Sequence, residues 1–338
     1  MNVILDNSLV KSLTDKNNYS DAAKELFELQ KQQWQQLATG YETLKTVKTK
    51  TFQFEGFKIK AQFNAGRIIS TSAKVDPKSI QQRRCFLCVE NLPAEQKGIL
   101  YRNEYLILCN PFPIFPEHFT LTHKLHQPQR IIDTFSSLLD FSKDLSKYYS
   151  VIYNGPRCGA SAPDHLHFQA GNKYFMTIDN EFHQIKNEYG QAIFEDDCLS
   201  VFAIDDGLRK FISIESIDKA RVENAFSRIY KIYAELMNEE LEPLLNIASF
   251  YDAEYGWRVL VFLRSKHRPA IFFLQDESKM LVSPASIDIG GVCIFPREED
   301  YDLITKEKME SIFKEVFIER EKLNQLVKNL SDDLPKHL

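Results

Sequence analysis

The chain has 338 residues, 43% of them hydrophobic and 26% charged, which supports a folded core and excludes wholesale disorder. The net charge of -5 and the absence of any long basic run exclude nucleic acid as an expected partner. No apolar run approaches the roughly 20 residues of a membrane-spanning helix, and no signal peptide is recognisable. Six cysteines do not suggest a disulfide scaffold, so we expect a cytoplasmic protein with no membrane partner.

The N-terminal part is predicted to contain one amphipathic helix followed by a β-hairpin. Residues 20–41 carry apolar side chains near helical spacing, with Ser20 or Asp21 as the N-cap and Gly40 as the stop. Alternating residues then predict two strands, at 51–54 and 57–63.

The rest of the chain reads as short strands interrupted by a few helices. Strands are predicted at 106–109, 119–122, 151–153 and 165–169, and helices at about 127–149, 218–237 and 305–330. This order predicts the α+β class, with a mostly antiparallel sheet and flanking helices.

A faint internal echo predicts two tandem halves. Residues 120–128 and 261–269 each read as a strand that enters a basic turn, with a histidine two residues before a proline. The second copy has no His-x-His pattern. We therefore expect a catalytic half at 1–195, with a zinc knuckle, and a degenerate half of the same kind at 196–338.

One segment near the middle of the chain carries the candidate chemistry. Residues 154–163 are rich in glycine and proline and predict a loop whose backbone N–H groups, with the Ser161 hydroxyl, are suited to phosphate oxygens. The strand that follows places His165, His167 and Gln169 on one face, at a spacing of roughly 6–7 Å.

These residue types suit nucleophilic attack on phosphorus. A neutral imidazole can attack an α-phosphoryl group and form a covalent nucleotidyl-histidine, provided that its other nitrogen is protonated and held. The alternative is a polar strand face with two satisfied histidines, which the adjacent loop, the serine and the glutamine in phase make less favourable. The hypothesis is that His167 is the nucleophile.

A cysteine pair precedes this segment. Cys85 and Cys88 have the spacing with which two thiolates grip one zinc ion from a tight turn. Taken alone, the pair is equally compatible with a redox-active dithiol or with two buried thiols.

The pattern His165-x-His167-x-Gln169 after a Gly/Ser loop resembles the transferase branch of the histidine-triad superfamily. That branch contains galactose-1-phosphate uridylyltransferase, the diadenosine tetraphosphate phosphorylases and the GDP-hexose phosphorylases, and residues 162–169 are most similar to the last group. The resemblance covers about 85–170 well and the rest loosely. It implies that His167 is the nucleophile, that Gln169 contacts phosphate and that Ser161 is the loop serine. Hydrolytic members carry a third histidine in place of Gln169, which favours transfer.

The resemblance also implies a metal site. Some uridylyltransferases bind zinc through such a cysteine pair, a following histidine and the first histidine of the motif, which here are Cys85, Cys88, His118 and His165. Four protein ligands imply a structural zinc that steadies the strand of His167. His126 lies past the predicted strand and is expected to contact phosphate or base instead.

Further candidate substrate contacts surround these motifs. Asn110 lies in a loop that resembles the nucleoside side of the family's site, whereas Asn154 and Gly159 belong to the glycine-rich loop. A basic cluster that could meet a leaving phosphate, or could be a solvated turn, contains Arg264, Lys266, His267 and Arg268. Arg67 and Arg84 are weaker candidates for phosphate contact.

The leading hypothesis is a phosphorylase or nucleotidyltransferase that acts on a GDP-hexose or UDP-hexose through a nucleotidyl-His167 intermediate. Its second substrate would be phosphate or a sugar phosphate, and relatives commonly dimerise, so a homodimer is a further expectation. The alternatives are a diadenosine polyphosphate phosphorylase, a nucleotide-sugar hydrolase and a non-catalytic, zinc-stabilised nucleotide-binding module. Zinc-thiolate redox chemistry is the remotest of them.

Overall fold

The computed structural model describes residues 3–72 and 76–337. The strands are β1 (Lys48–Gln53), β2 (Lys58–Phe63), β3 (Gly98–Tyr101), β4 (Tyr105–Cys109), β5 (His118–His123), β6 (Tyr149–Asn154), β7 (His167–Asn172), β8 (Gly190–Glu195), β9 (Leu199–Asp205), β10 (Lys210–Ser216), β11 (Leu245–Asp252), β12 (Gly256–Leu263) and β13 (Val292–Phe295). The helices are α1 (Ser8–Asp15), α2 (Tyr19–Gln33), α3 (Gln35–Leu44), α4 (Ile68–Thr71), α5 (Pro77–Gln82), α6 (Phe135–Asp144), α7 (Thr177–Tyr189), α8 (Lys219–Met237), α9 (Ser286–Ile289), α10 (Glu298–Leu303), α11 (Lys306–Val316) and α12 (Arg320–His337).

The described chain contains a ten-stranded antiparallel sheet in the order β3-β4-β5-β7-β6-β11-β12-β10-β9-β8. The sheet consists of two sets of five strands with the same order. From one edge inwards the order is β3, β4, β5, β7, β6, and from the other edge inwards it is β8, β9, β10, β12, β11, so that in each set the fifth strand lies outside the fourth. The two sets meet where β6 pairs with β11. The predicted α+β class, antiparallel sheet and tandem halves are confirmed.

The second half has apolar core where the first half has polar side chains. The strand order makes β12 the counterpart of β7. Residues that are paired across neighbouring strands point to the same face of the sheet. Gln169 is paired with Ile152, Ile152 with Ala248, and Ala248 with Leu260 of β12, so Leu260 lies on the same face as Gln169. Leu260 and Phe262 on this face are buried in the core, so the second half is degenerate, as expected.

The echo read from the sequence is wrong as a structural alignment, because residues 120–128 begin in β5 and residues 261–269 begin in β12. The strand order instead makes β10 the counterpart of β5. The division of the chain at residue 195 stays a prediction, although β8, which ends there, stands in the second set of strands.

Apolar packing covers the sheet unequally on its two faces. On one face, helices α2, α6, α8 and α12 pack along the length of the sheet, around residues such as Val151, Phe168 and Ile214. On the other face, the second half is covered by α7, α11 and a small sheet of β1, β2 and β13. The same face of the first half borders a cavity. No helix in the described ranges is both long enough and apolar enough to cross a membrane.

The predicted helix at 20–41 is two helices. Trp34 is extended (φ -121°, ψ 101°) and separates α2 from α3, so Gly40 lies inside α3 and does not end it. A Cβ atom at Gly40 would lie 2.2 Å from the carbonyl oxygen of Pro111, which identifies the role of this glycine as close packing. The helix predicted at 127–149 is only Phe135–Asp144, and residues 305–330 form parts of both α11 and α12.

Replacement of Gly40 by alanine tests whether packing or helix propensity dominates at this position. Propensity alone predicts stabilisation, because alanine favours a helix by about 1 kcal/mol over glycine. We expect the opposite, a loss of about 1–3 kcal/mol, because backbone must move to admit the methyl group. Urea unfolding of Gly40→Ala, with exposed Thr39→Ala as the control, measures the sign, and a stabilised Gly40→Ala would contradict the packing argument.

Candidate active site and metal centre

A cavity of about 580 Å³ lies against the sheet of the first half. Trp34, Leu92 and Phe112 supply part of its apolar wall, and His167 and Gln169 of β7 supply polar groups. A second cavity of about 60 Å³ is lined by Gln169 as well, together with residues of the second half. The first cavity is large enough for a ligand of nucleotide size, since ligand pockets span roughly 300–1,000 Å³.

The His167 ring is neutral and has a defined tautomer. Its Nδ1 lies 2.8 Å from the carbonyl oxygen of His165, and a carbonyl only accepts, so Nδ1 carries the proton. Burial lowers the pKa of His167 to about 4, which leaves the ring uncharged at neutral pH. Nε2 therefore keeps its lone pair, and among the described residues it has no hydrogen-bond partner. The ring is only 4% exposed but borders the large cavity.

On the side of β6, the backbone of His167 is held by a side chain and not by a strand. The pairing of β6 with β7 extends from Tyr149 and Asn172 to Ile152 and Gln169. Beyond that point the Gln129 carboxamide accepts from the His167 N–H at 2.8 Å and donates to the His167 carbonyl at 2.9 Å. The sequence reading missed this residue.

His118 orients Gln169. Nδ1 of His118 accepts from the Ile114 N–H at 3.1 Å, so its Nε2 is the donor to Gln169 Oε1 at 2.8 Å. Burial lowers the pKa of His118 to about 3, with the nearby charge of Arg67 contributing, and the ring stays neutral. Because Gln169 Oε1 is occupied in this way, its NH₂ group is the end that remains to bind an oxyanion.

The loop before β7 is shaped by contacts with the second half. Gly159 has a φ of +98°, and a Cβ atom there would lie 2.5 Å from Cβ of Ala285. Asn154 Oδ1 accepts hydrogen bonds from Asn246 Nδ2 and from the backbone and hydroxyl of Ser286. Gly159 and Asn154 line the small cavity, Ser161 lines both cavities and Asn110 lines the large one. Their predicted contacts with substrate stay predictions.

The basic cluster of the second half divides into different roles. Arg264 is fully buried, and its guanidinium donates to Asn246 Oδ1 and to the carbonyl oxygens of Lys266, His267, Pro284 and Val316. The prediction that Arg264 binds substrate is therefore wrong, because its N–H groups already have protein acceptors. Lys266 is exposed and pairs with Glu315, away from both cavities. His267 alone of the three predicted contacts lines the small cavity, next to Arg268.

Arg67 supplies a positive charge to both cavities. Its Nη1 donates to the carbonyl oxygen of Phe112 at 2.7 Å. Burial lowers its pKa to about 10, so the side chain remains charged at neutral pH. A single arginine in a connector carries no motif, so the sequence by itself supports Arg67 as a phosphate contact only weakly.

Four side chains form a cluster suited to a metal ion. Cys85, Cys88, His126 and His165 each offer one ligand atom, and these atoms lie within 4.8 Å of one another. The sulfur atoms of the two cysteines lie 3.3 Å from His165 Nδ1 and 3.1 Å from His126 Nδ1 respectively. Two thiols with two imidazoles are a donor set for tetrahedral zinc.

The outer nitrogens of both histidines support this fit. His165 Nε2 lies 2.7 Å from the carbonyl oxygen of His123, and His126 Nε2 lies 3.7 Å from Asp164 Oδ2. The His123 carbonyl holds the proton on Nε2 of His165 and leaves its Nδ1 for the metal. The Asp164 carboxylate faces Nε2 of His126 beyond direct hydrogen-bond distance. With four protein ligands the metal would be structural and would tie residues 85–88 to the start of β7.

The prediction of His118 as a zinc ligand is wrong, and His126 takes its place. β5 and β7 are antiparallel, so His118 lies opposite Gly171 while the residues after His123 lie beside those before His167. His118 is therefore displaced along the strand from His165 by about six residues, roughly 20 Å. Only knowledge of this register distinguishes the two histidines.

The overall fold matches that of solved structures. Yeast Ap4A phosphorylase Apa2 in complex with AMP is 15% identical, with a TM-score of 0.60, over 89% of this chain and 96% of that chain. A further structure of Apa2 gives 15% identity and a TM-score of 0.56 over 84% and 96% of the respective chains. The chain therefore has the fold of yeast Ap4A phosphorylase.

Family models match both parts of the chain. Residues 26–172 match a domain of unknown function, DUF4922, and residues 208–337 match the GDPGP1-like C-terminal domain. A comparison with curated proteins gave no match.

Zinc content after dialysis tests the revised ligand set. We expect the wild-type protein to retain about one zinc per chain, as a closed four-ligand site does. His126→Ala should lose most of it, because one of four donors is removed, whereas His118→Ala should keep it. Elemental analysis by mass spectrometry measures both variants, and zinc loss from His118→Ala with retention in His126→Ala would restore the ligand set inferred from sequence.

Proposed function

We propose that this protein is a nucleotidyltransferase or phosphorylase that transfers a nucleoside monophosphate from a nucleoside diphosphate-hexose through a covalent intermediate on His167. The observation that carries the proposal is the tautomer of His167: Nδ1–H is bound to the His165 carbonyl, and the free Nε2 belongs to a ring that borders a cavity of about 580 Å³. Gln169 and Ser161 line the same cavity as candidate phosphate contacts.

The geometry supports two displacements at the α-phosphorus. In the first, the Nε2 lone pair forms the P–N bond while the bond from phosphorus to the bridging oxygen breaks, and a hexose phosphate leaves. In the second, an oxygen of phosphate or of a sugar phosphate attacks and returns the electron pair to Nε2. The Nδ1 proton stays in its hydrogen bond throughout, where the carbonyl stabilises the positive charge of the substituted ring.

The small cavity is a candidate subsite for the phosphate that leaves or attacks. Arg67, Arg268 and His267 line it, and it shares Ser161 and Gln169 with the large cavity. The pKa of His267 is lowered to about 3 by burial and by Arg268 and Arg264, so the positive charge in this subsite comes from the arginines. Asp288, whose pKa burial raises to about 6, lines the same cavity and offsets part of that charge. Preorganised cations of this kind stabilise the charge that develops during phosphoryl transfer.

Labelling with nucleotide tests the intermediate directly. Protein incubated with nucleotide sugars that carry a label in the α-phosphate should acquire an acid-labile, base-stable label. His167→Ala should lose at least about 10²-fold in labelling, because no other group replaces the nucleophile.

His183→Ala is the matched control, because His183 is an exposed histidine of α7 that borders neither cavity. It should label as the wild-type protein does. Equal labelling of His167→Ala and His183→Ala would overturn the assignment of the nucleophile.

A turnover screen separates the substrate classes. The GDPGP1-like C-terminal match favours a nucleotide-sugar, whereas the fold shared with yeast Ap4A phosphorylase supports a diadenosine polyphosphate as the second candidate. We expect a GDP-hexose or UDP-hexose to be consumed in the presence of phosphate or hexose 1-phosphate. Consumption of diadenosine tetraphosphate alone would select the second candidate, turnover without an acceptor would indicate a hydrolase, and nucleotide binding without turnover would indicate a non-catalytic module.

A further inference from the structure

Asp164 stands between the metal cluster and the large cavity. Its two carboxylate oxygens have different partners: Oδ2 lies 3.7 Å from Nε2 of the cluster residue His126, and Oδ1 accepts a hydrogen bond of 2.6 Å from Nη2 of Arg83. The Asp164 and Arg83 side chains are 18% and 25% exposed, so water competes little for their contact, whereas His126 is 47% exposed. The proposed mechanism gives this carboxylate no role.

Arg83 is part of the wall of the large cavity. Its guanidinium stacks over the ring of Phe86, 5.0 Å from the centroid, and its Nη2 reaches the carbonyl oxygen of Ser161 at 3.5 Å. Its Nη1 is buried and has no hydrogen-bond partner among the described residues. A buried, cationic donor without an acceptor is costly in the free protein and suits an anionic oxygen that arrives with a ligand.

We propose that Asp164 is a positioning residue that couples the metal cluster to nucleotide binding, and that Arg83, which it holds, binds a phosphate oxygen of the nucleotide. The inference rests on the proposed function for the identity of the ligand. Each residue of the Arg83–Asp164 pair is close in sequence to a residue of the metal cluster. Arg83 precedes Cys85 by two residues, and Asp164 directly precedes His165. Cys85 and His165, held by one metal ion, would fix both backbones, and the carboxylate fixes the side chains between them.

The carboxylate suits this task because both of its oxygens carry negative charge: Oδ1 accepts from Arg83 Nη2, and Oδ2 faces His126 Nε2 at 3.7 Å. The negative charge that faces Nε2 of His126 favours the tautomer with its proton there, which keeps Nδ1 free for the metal. The Arg83 guanidinium needs a charged acceptor to hold its orientation towards the cavity. An amide at position 164 can satisfy only one of the two partners, since its second atom is a donor. Substitution by asparagine therefore separates the contact with His126 from the contact with Arg83.

Three variants resolve the proposal when metal release and nucleotide affinity are both measured. Asp164→Ala should release zinc to a chromogenic chelator roughly 10–100-fold faster and bind GMP or AMP about tenfold more weakly in the zinc-loaded state. Asp164→Asn can turn its remaining oxygen to Arg83, so it should release zinc faster but keep most of the nucleotide affinity. Arg83→Met should lose nucleotide affinity about tenfold while zinc release stays at the wild-type rate.

Asp133→Asn is the control, because Asp133 pairs with Arg130 on the exposed surface and borders neither the cluster nor the cavity. It should match the wild-type protein in both measurements. Calorimetric titration measures the affinity, and thermal unfolding shows that each variant is folded. If Asp164→Ala does not fold, Arg83→Met and Asp164→Asn still test the two halves separately.

Wild-type values of both quantities in folded Asp164→Ala would overturn the coupling, and unchanged nucleotide affinity in Arg83→Met would overturn the role of Arg83. A wild-type protein that binds neither GMP nor AMP would overturn the Arg83 half together with the proposed function. Failure of His167 labelling in a protein that binds nucleotide would overturn the proposed function alone, because neither measurement here requires the nucleophile.

Discussion

Thr122 lies opposite His167 in the antiparallel pairing of β5 with β7, and the arrangement of the site depends on this register. At one end of the pair, His118 comes within reach of Gln169 and fixes its amide. At the other end, the chain after His123 brings His126 to the cluster that contains His165. A slip of one residue would send these side chains to opposite faces of the sheet. The pairing therefore determines the positions of the Gln169 amide, the candidate nucleophile His167 and the candidate metal ligands together.

The second half contributes support and not a second centre. Leu260 and Phe262 fill the face that bears the polar residues in the first half. Arg264 instead extends a buried network across the seam, because its Nη1 donates to Asn246, whose own amide donates to Asn154. A cation that the sequence assigned to substrate thus holds the loop on which the substrate is proposed to lie.

Much of the fold and part of the site were predictable from the sequence. The hairpin, the strands around the motif and the helix at 218–237 have strong periodicity, and the His-x-His-x-Gln pattern located the nucleophile candidate. The break at Trp34 was not predictable, because an apolar residue in phase with a helix gives no sign of an extended backbone. His118 and His126 were exchanged because spacing along the chain carries no information about strand register. Gln129 and Arg67 belong to no motif, and only the folded chain shows what they contact.

Gln129 has a consequence for how the sheet opens at its centre. Its amide also donates to the carbonyl oxygen of Asn154 at 3.0 Å. One side chain therefore replaces the backbone hydrogen bonds that β6 and β7 cannot form where they separate. Because β6 and β7 separate here, the loop that follows Asn154 leaves the sheet beside His167. Because a side chain replaces backbone here, an interior strand, which normally has neighbours along its whole length, presents its candidate nucleophile as an edge strand would.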